Sequence, residues 1–335
     1  MTMLDSRRPA PARLRPGSIA GPPLEMTVAD DAALAARPRQ SADFHRVRRG
    51  VYVPAAGWAQ LTPWQRYLVR VHAVALLRPN AVFCLESAGA LLGLPTFGEP
   101  RDVHVFDVGA PRSHRIGDVL RHTSTVTPEI IVRDGVRLTA AAETVAGLAR
   151  GLPPAFGLAV ADAAIAARRG SMTTVDAIER ASARAVDTRG IRRLRWILEN
   201  ADPAAESWGE SVSRAVIQWL GFADPELQHA FRFEGSTDRV DFWWPGARVA
   251  GESDGWGKYD LAQPAAARAA LVAEKRREDR LRRHGIRFAR WDWADALGFR
   301  PLERALTQAG VPRPRPPQHA MLATLRSNPR SLPHG

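Results

Sequence analysis

Residues 239–255 read RVDFWWPGARVAGESDG. Pro245-Gly246 supplies turn chemistry, and the Val, Phe and Trp residues around it favour strands, so the stretch reads as a β-hairpin. A two-residue loop at Gly246-Ala247 pairs Pro245 with Arg248 and, counted outward, Asp241 with Glu252. Side chains alternate along a strand, so Arg239, Asp241 and Trp243 share one face with Ala250, Glu252 and Asp254. Val240, Phe242 and Val249 then fall on the other face, against the core. A slip of one residue would undo this pairing.

Three carboxylates on one face are more than a hairpin needs. Like charges opposite one another destabilise a sheet, so something must offset them: a divalent cation, a basic neighbour such as Arg239 or Lys258, or open water. Mg²⁺ is commonly held by one or two carboxylates together with water and substrate phosphates. A metal so held activates water and stabilises charge developing on a phosphate. A solvated hairpin accounts for the same residues, and both readings stand at this point.

Outward from the hairpin, ESWGESVSRAVIQWLG (206–221) is an amphipathic helix carrying Glu206 and Glu210 and stopped by Gly221. LQHAFRF (227–233) reads as a strand, residues 264–284 as a long helix ended by Gly285, and IRFARWDW (286–293) as a strand. The order α-β-β-β-α-β defines an α/β module of about 100 residues. On the long helix, Leu271, Glu274, Lys275, Glu278, Leu281 and Arg282 share one face and would carry polar groups toward the sheet. Charge runs on helices are ordinarily solvated, and Arg276, Arg277 and Glu278 are read that way. Trp243, Trp244, Trp256, Trp291 and Trp293 read as packing anchors, with stacking on bases as the alternative.

Further upstream, FHRVRRGVYVP (44–54) is a basic stretch leading into a strand that Pro54 closes. TPWQRYLVRVHAVALLR (62–78) is a helix with Thr62 as cap and Pro63 at its first position, LESAGALLGL (85–94) a second helix, and RDVHVFDVG (101–109) an alternating strand. Residues 135–150, 154–169, 173–185 and 189–201 read as helices, with Thr139 and Thr174 as caps. Residues 1–40 are rich in Pro, Arg and Ala and read as a disordered tail with a short helix at 28–36. PRPRPPQ (312–318) begins a flexible tail.

The 335 residues are 45% hydrophobic and 24% charged, the make-up of a folded protein with room for several domains. The net charge is +12, from 47 basic and 35 acidic residues, few of them Lys. Such a balance favours a polyanionic partner, most simply DNA, although an arginine-rich genome bias gives the same numbers. Residues 268–290 hold nine Arg or Lys against Glu274, Glu278 and Asp279, a local +6 directly after the hairpin. The single cysteine, Cys84, excludes an intramolecular disulfide and any cysteine-built zinc cage, and within AVFCL it reads as a buried, inert thiol. His104, His114, His122 and His284 have no ligand spacing. No apolar run approaches the roughly 20 residues of a membrane span, and the first residues lack a secretory apolar core. A reducing cytoplasm is the expected compartment.

The helix with Glu210, VDF with Asp241, GESDG with Glu252 and Asp254, and EKRREDRLRRHGIRFARW (274–291) together resemble the PD-(D/E)xK nuclease superfamily. More narrowly, they resemble the very-short-patch-repair endonuclease-like domains of actinobacterial proteins. The resemblance implies a DNA substrate and Mg²⁺ or Mn²⁺ as cofactor. It implies Asp241 and Glu252 as metal ligands and Glu210 as an accessory acid. Asp254 stands where the motif has its lysine, two residues after Glu252, so the amine would come from Lys258 or Lys275. Upstream, HRVRRGVYVP, AVFCLESAGALLGLP and GVRLTAAAETVAGLA resemble the N-terminal region of AbiEi-type antitoxins of type IV toxin–antitoxin systems. That family begins with a DNA-binding winged helix. VRRGVYV would be the wing, with Arg46, Arg48 and Arg49 either on phosphates or simply exposed, but the Pro/Arg-rich tail replaces the helices expected before it.

The expected protein is therefore mixed α/β (α+β). A tail (1–40) precedes an AbiEi-like region (41–125), a helical region (126–203), a restriction-endonuclease-like module (204–303) with a mixed sheet flanked by helices, and a C-terminal helix with a flexible tail (304–335). The expected function is DNA binding with Mg-dependent hydrolysis of phosphodiester bonds. The alternatives are an antitoxin-type regulator with a degenerate nuclease domain and a scaffold with no nucleic-acid role.

Overall fold

Gln65 Oε1 accepts the Thr62 N–H at 2.9 Å and Pro63 follows, so a helix starts where the sequence places it. The computed structural model describes residue 15 and residues 17–28, 43–109, 111–254, 264–326 and 328–332. In chain order its elements are β1 (Thr27–Val28), β2 (Phe44–Arg48), β3 (Val51–Pro54), α1 (Ala55–Gln60), α2 (Pro63–Leu77), β4 (Val82–Phe83), α3 (Leu85–Leu91), β5 (Val103–Phe106), β6 (His114–Ile116), β7 (Val119–His122), β8 (Ile130–Arg133), β9 (Val136–Thr139) and α4 (Ala141–Gly151). There follow α5 (Pro154–Ile165), α6 (Val175–Ala183), α7 (Ile191–Asn200), α8 (Trp208–Trp219), β10 (Glu226–Phe233), β11 (Ser236–Trp244), β12 (Val249–Asp254), α9 (Pro264–Arg283), β13 (Arg287–Asp292), α10 (Trp293–Gly298), α11 (Arg300–Ala309) and α12 (His319–Ala323). The protein is mixed α/β, with three sheets. Among the described residues no helix is long and apolar enough to cross a membrane.

The chain divides into two compact units. One takes residues 15–152, 172–195 and 328–332. It holds a three-stranded sheet ordered β1-β3-β2 and a six-stranded sheet ordered β6-β7-β5-β4-β9-β8. Its core includes Tyr52, Tyr67, Leu91, Val103 and Leu138. The expected helix at 135–150 begins instead as the strand β9, hairpinned to β8, so the region 126–203 is not purely helical. Ala140, not Thr139, precedes α4, and the Thr139 hydroxyl bonds the Thr144 hydroxyl at 2.8 Å. Thr174 caps α6 as expected, accepting the Ala177 N–H.

Both presumed tails are partly built into the fold. β1 pairs with β3, and Ala20 N–H donates to Leu91 O at 2.7 Å. Residues 1–14 and 29–42, with the helix expected at 28–36, lie outside the described residues. At the other end, Leu332 N–H donates to Glu99 O at 2.8 Å, and Arg330 forks onto buried Glu86.

The second unit takes residues 153–171 and 196–326. Its four-stranded sheet runs β10-β11-β12-β13, antiparallel twice and then parallel. A parallel pair needs a crossover connection, and α9 lies between β12 and β13 in the chain. α8 covers one face, where Trp291 Nε1 donates to Ser213 Oγ at 2.8 Å. α9 covers the other, inserting Leu281 among Phe231, Val240, Trp243 and Ala250. PRPRPPQ is held rather than loose: Ala223 N–H donates to Pro312 O at 2.9 Å and Gln318 N–H to Trp219 O at 2.7 Å. Trp243, Trp244 and Trp291 are buried, as packing anchors should be, and Trp256 lies outside the described residues.

Candidate active site

Ser207 caps α8 by accepting the Glu210 N–H at 3.1 Å, which fixes Glu210 in the first helical turn. Its side chain turns back, and Oε2 accepts the N–H of Glu206, the residue before the cap, at 3.0 Å. The same oxygen accepts from Gln228 Nε2 at 2.7 Å. Glu210 is 5% exposed. Burial first, and then the nearby charge of Asp241, push its carboxyl up to about 7.

Asp241 reaches the same place from the sheet. Its Oδ2 accepts the Ser253 N–H at 3.0 Å and its Oδ1 the Gln228 amide at 3.4 Å. The hairpin register counted from the sequence holds over Trp244↔Val249, Trp243↔Ala250 and Phe242↔Gly251. The turn is a 3₁₀ turn over Pro245–Ala247, with Arg248 left-handed at φ 51°. The ladder stops there, so Asp241 bonds the backbone beside Glu252 instead of pairing with Glu252.

The assumed alternation also fails at this point. Gln228 and Asp241 are missing from an otherwise continuous β10–β11 register, and Gln228 is left-handed at φ 54°. Val240 and Trp243 consequently share the α9-side cluster, whereas Phe242 packs on Trp244 and Trp291. This local twist defect sends the two halves of β11 to opposite faces.

Glu252 is 3% exposed, and its Oε1 accepts from both terminal nitrogens of Arg277 at 3.0 Å. Arg277 also donates to Glu274 at 2.6 Å and to Arg239 O at 2.8 Å. Burial works against the Arg277 charge, but its bonds to Glu274 and the charge of Glu252 prevail and raise its pKa. Hydrogen bonds from Arg277, with help from Arg290, hold Glu274 down at about 2 despite its partial burial. Arg290, the parallel neighbour of Glu252, bonds Glu274 at 2.6 Å and Glu278 at 2.9 Å and stands 3.8 Å from Asp254.

Gln228 thus links Glu210 with Asp241, the Ser253 N–H ties Asp241 to the strand of Glu252, and Arg277 and Arg290 stand against Glu252 and Asp254. Lys275 is exposed, and Lys258 lies outside the described residues. The local +6 is largely spent internally, since Arg280 forks onto Asp238 and Arg282 and Arg283 pair with Glu278 and Glu234. Arg277, read as solvated, faces the sheet. In the other unit Arg48 pairs with Asp118, so only Arg46 and Arg49 of the expected wing are exposed and free of a described ion pair. The sequence reading missed Gln228, whose position before the hairpin carries no motif, and Arg277, whose direction only the packing of α9 decides.

Glu210 and Asp241 suit an oxygen-seeking divalent cation by donor type and by mutual repulsion. Glu252 already has an internal cation, Arg277. Among the described residues no three His, Cys, Asp or Glu side chains stand together as a metal cluster. Glu210 and Asp241 would hold such a cation by their donor chemistry, and the expected role of Glu252 as a ligand stays a proposal.

Comparison with known proteins returns two mycobacterial relatives. They are "Uncharacterized protein MT2308" of Mycobacterium tuberculosis (strain CDC 1551 / Oshkosh) and "Uncharacterized protein Rv2248" of Mycobacterium tuberculosis (strain ATCC 25618 / H37Rv). Each is 32% identical over 207 residues, which cover 62% of this chain and 72% of the relative. The chain belongs to their family. Neither name states an activity. No protein-family model matches the chain, and no solved structure matches it.

Proposed function

We propose that the module formed by residues 204–303 binds DNA and hydrolyses its phosphodiester bonds with a divalent cation, Mg²⁺ or Mn²⁺. One observation carries this reading: acids from α8 and β11 converge on a single amide, that of Gln228. A divalent cation bound by Glu210 and Asp241 would supply Lewis-acid stabilisation of a phosphate and a more acidic water. Glu210, whose carboxyl is pushed up to about 7, would give up its proton on holding the cation, so cation binding should strengthen as pH rises. Gln228 orients both carboxylates. Arg277 and Arg290, which stay protonated, supply positive charge beside Glu252 that the motif assigns to a lysine.

A second reading is an antitoxin-type DNA-binding regulator whose nuclease domain no longer cleaves. The fork of Arg277 on Glu252 favours it, because an internal cation then replaces the metal at that carboxylate.

The two separate in one assay. Wild-type protein is incubated with plasmid and single-stranded DNA in Mg²⁺ or Mn²⁺, alongside Asp241→Ala, Glu210→Gln and Glu252→Ala. The nuclease reading expects cation-dependent cleavage that falls by about a hundredfold or more in Asp241→Ala. Salt-sensitive DNA binding without cleavage supports the regulator. Cleavage equal in wild type and all three variants removes the site assignment, and absence of DNA binding removes both readings in favour of a scaffold.

A further inference from the structure

A second polar constellation lies in the other unit. Glu86, at the start of α3, is 6% exposed and held by the Arg330 guanidinium. His104 Nε2 stands 3.3 Å from Glu86 Oε2, and His104 Nδ1 lies 2.8 Å from His122 Nε2. The contacts favour one pair of tautomers. A carboxylate favours the hydrogen on His104 Nε2, which leaves His104 Nδ1 as a lone pair. His122 Nε2 must then donate to it, and His122 Nδ1 is left as an acceptor. Burial lowers both imidazole pKa values, His104 to about 4, so both rings are neutral at pH 7.

His122 lines an open cavity of ≈ 240 Å³. Leu85, Phe106, Val126 and Pro128 give it apolar walls, and Thr123, Ser124, Thr139, Glu143 and Arg184 line it beside His122. Glu143 and Arg184 at the cavity pair with each other and so bring no net charge. Leu85 holds φ at 48°, a left-handed backbone that is costly for a leucine and that tends to occur at binding sites. Cys84 also lines the cavity, but burial pushes its thiol pKa far up, so a thiolate is not the reactive feature. A hollow with apolar walls and a set of convergent polar groups is the usual form of a small-molecule site.

We infer that this cavity binds a small uncharged molecule with an apolar body and a hydrogen-bond donor, and that His122 Nδ1 accepts that hydrogen bond. The site is independent of the nuclease reading.

The test uses the full-length ¹⁵N-labelled protein at pH 7, with phenol as the donor probe and anisole as its methylated counterpart. Imidazole ¹⁵N spectra should show His122 Nδ1 unprotonated, and phenol should shift that nitrogen. Phenol should bind about tenfold more tightly than anisole, the worth of one ordinary hydrogen bond. His122→Phe should abolish the preference, with the wild-type comparison standing alone if that variant does not fold. A protonated His122 Nδ1, equal binding of the two probes, or no binding of either would each overturn the inference.

Discussion

Glu210 and Asp241 share one amide donor: Gln228 Nε2 lies 2.7 Å from Glu210 and 3.4 Å from Asp241. The arrangement lets each carboxylate feel the other's charge in a site where Glu210 is nearly dry. Its consequence is visible in pH dependence. Glu210 ionises at about 7 in the folded protein and near its ordinary value of 4.5 when unfolded. Below pH 4.5 both states hold the proton and the contribution to stability is complete. As pH rises, the unfolded state ionises first, and the contribution declines until about pH 7. The loss is on the order of 3 kcal/mol. Asp241→Asn removes the like charge, so it should lower the Glu210 value and flatten this part of the stability profile. Carboxyl ¹³C titration together with urea unfolding from pH 4 to 8 checks both, and an unchanged Glu210 titration would contradict the coupling.

If that pair receives a divalent cation, Mg²⁺ should raise the unfolding temperature at pH 7 and release protons on binding. Both effects should vanish in Asp241→Ala. Calorimetric titration in two buffers of different ionisation enthalpy measures the proton release without requiring DNA cleavage.

Arg277 makes the complementary prediction for Glu252. Arg277→Ala leaves a buried carboxylate without its cation and should cost about 3–5 kcal/mol. Arg277→Lys keeps the charge but cannot span Glu252, Glu274 and the Arg239 carbonyl at once, so it should recover only part of the loss. Urea midpoints for the two variants and Glu252→Gln test the ranking. Because Glu274 is held at about 2, its stabilisation is present above its ordinary 4.5 and fades as pH falls toward 2.

The hairpin register was legible because turn chemistry and alternation are local properties. Phe242↔Gly251 could be counted from Pro245-Gly246 alone. The reversal at Asp241 was not, because nothing in a glutamine announces a left-handed φ at position 228. The acids at 210, 241 and 252 were found by motif order, but their partners, Gln228 for the first two and Arg277 for the third, depend on which face each segment presents. Arg277 was assigned to solvent because a helix with charges all round has no evident inner face until its sheet is in place. Of the six-stranded sheet only β5 was read, within 101–109, and the rest escaped for a simpler reason. Its strands run two to four residues, too short to establish a period of two.

Gly251 offers a packing test on the α8 side of the sheet. A Cβ built there would lie 2.7 Å from Trp291 Cη2, 2.9 Å from Trp244 Cζ3 and 3.0 Å from Phe242 Cβ. Those rings are buried and cannot retreat into water. Gly251→Ala should therefore destabilise by about 1–3 kcal/mol through overpacking. Thermal unfolding followed by near-UV tryptophan circular dichroism reads the effect, and an unchanged midpoint would mean that the rings can yield.

The segment 328–332 should act as a structural clip for the unit containing Glu86. Arg330 donates to both carboxylate oxygens of Glu86, and its backbone carbonyl accepts the Arg101 N–H at 2.9 Å. Burial alone would raise the Glu86 pKa, but the Arg330 hydrogen bonds and charge lower it instead. Arg330→Met leaves a buried anion without its main counter-charge and should cost about 3–5 kcal/mol. Adding Glu86→Gln to Arg330→Met should restore part of that loss, since the uncompensated charge is then gone. Hydrogen exchange at Ala88 and Val105 measures the change within this unit. Full protection in Arg330→Met would show that the clip is dispensable, whereas recovery in the double variant would identify the buried charge as the cause.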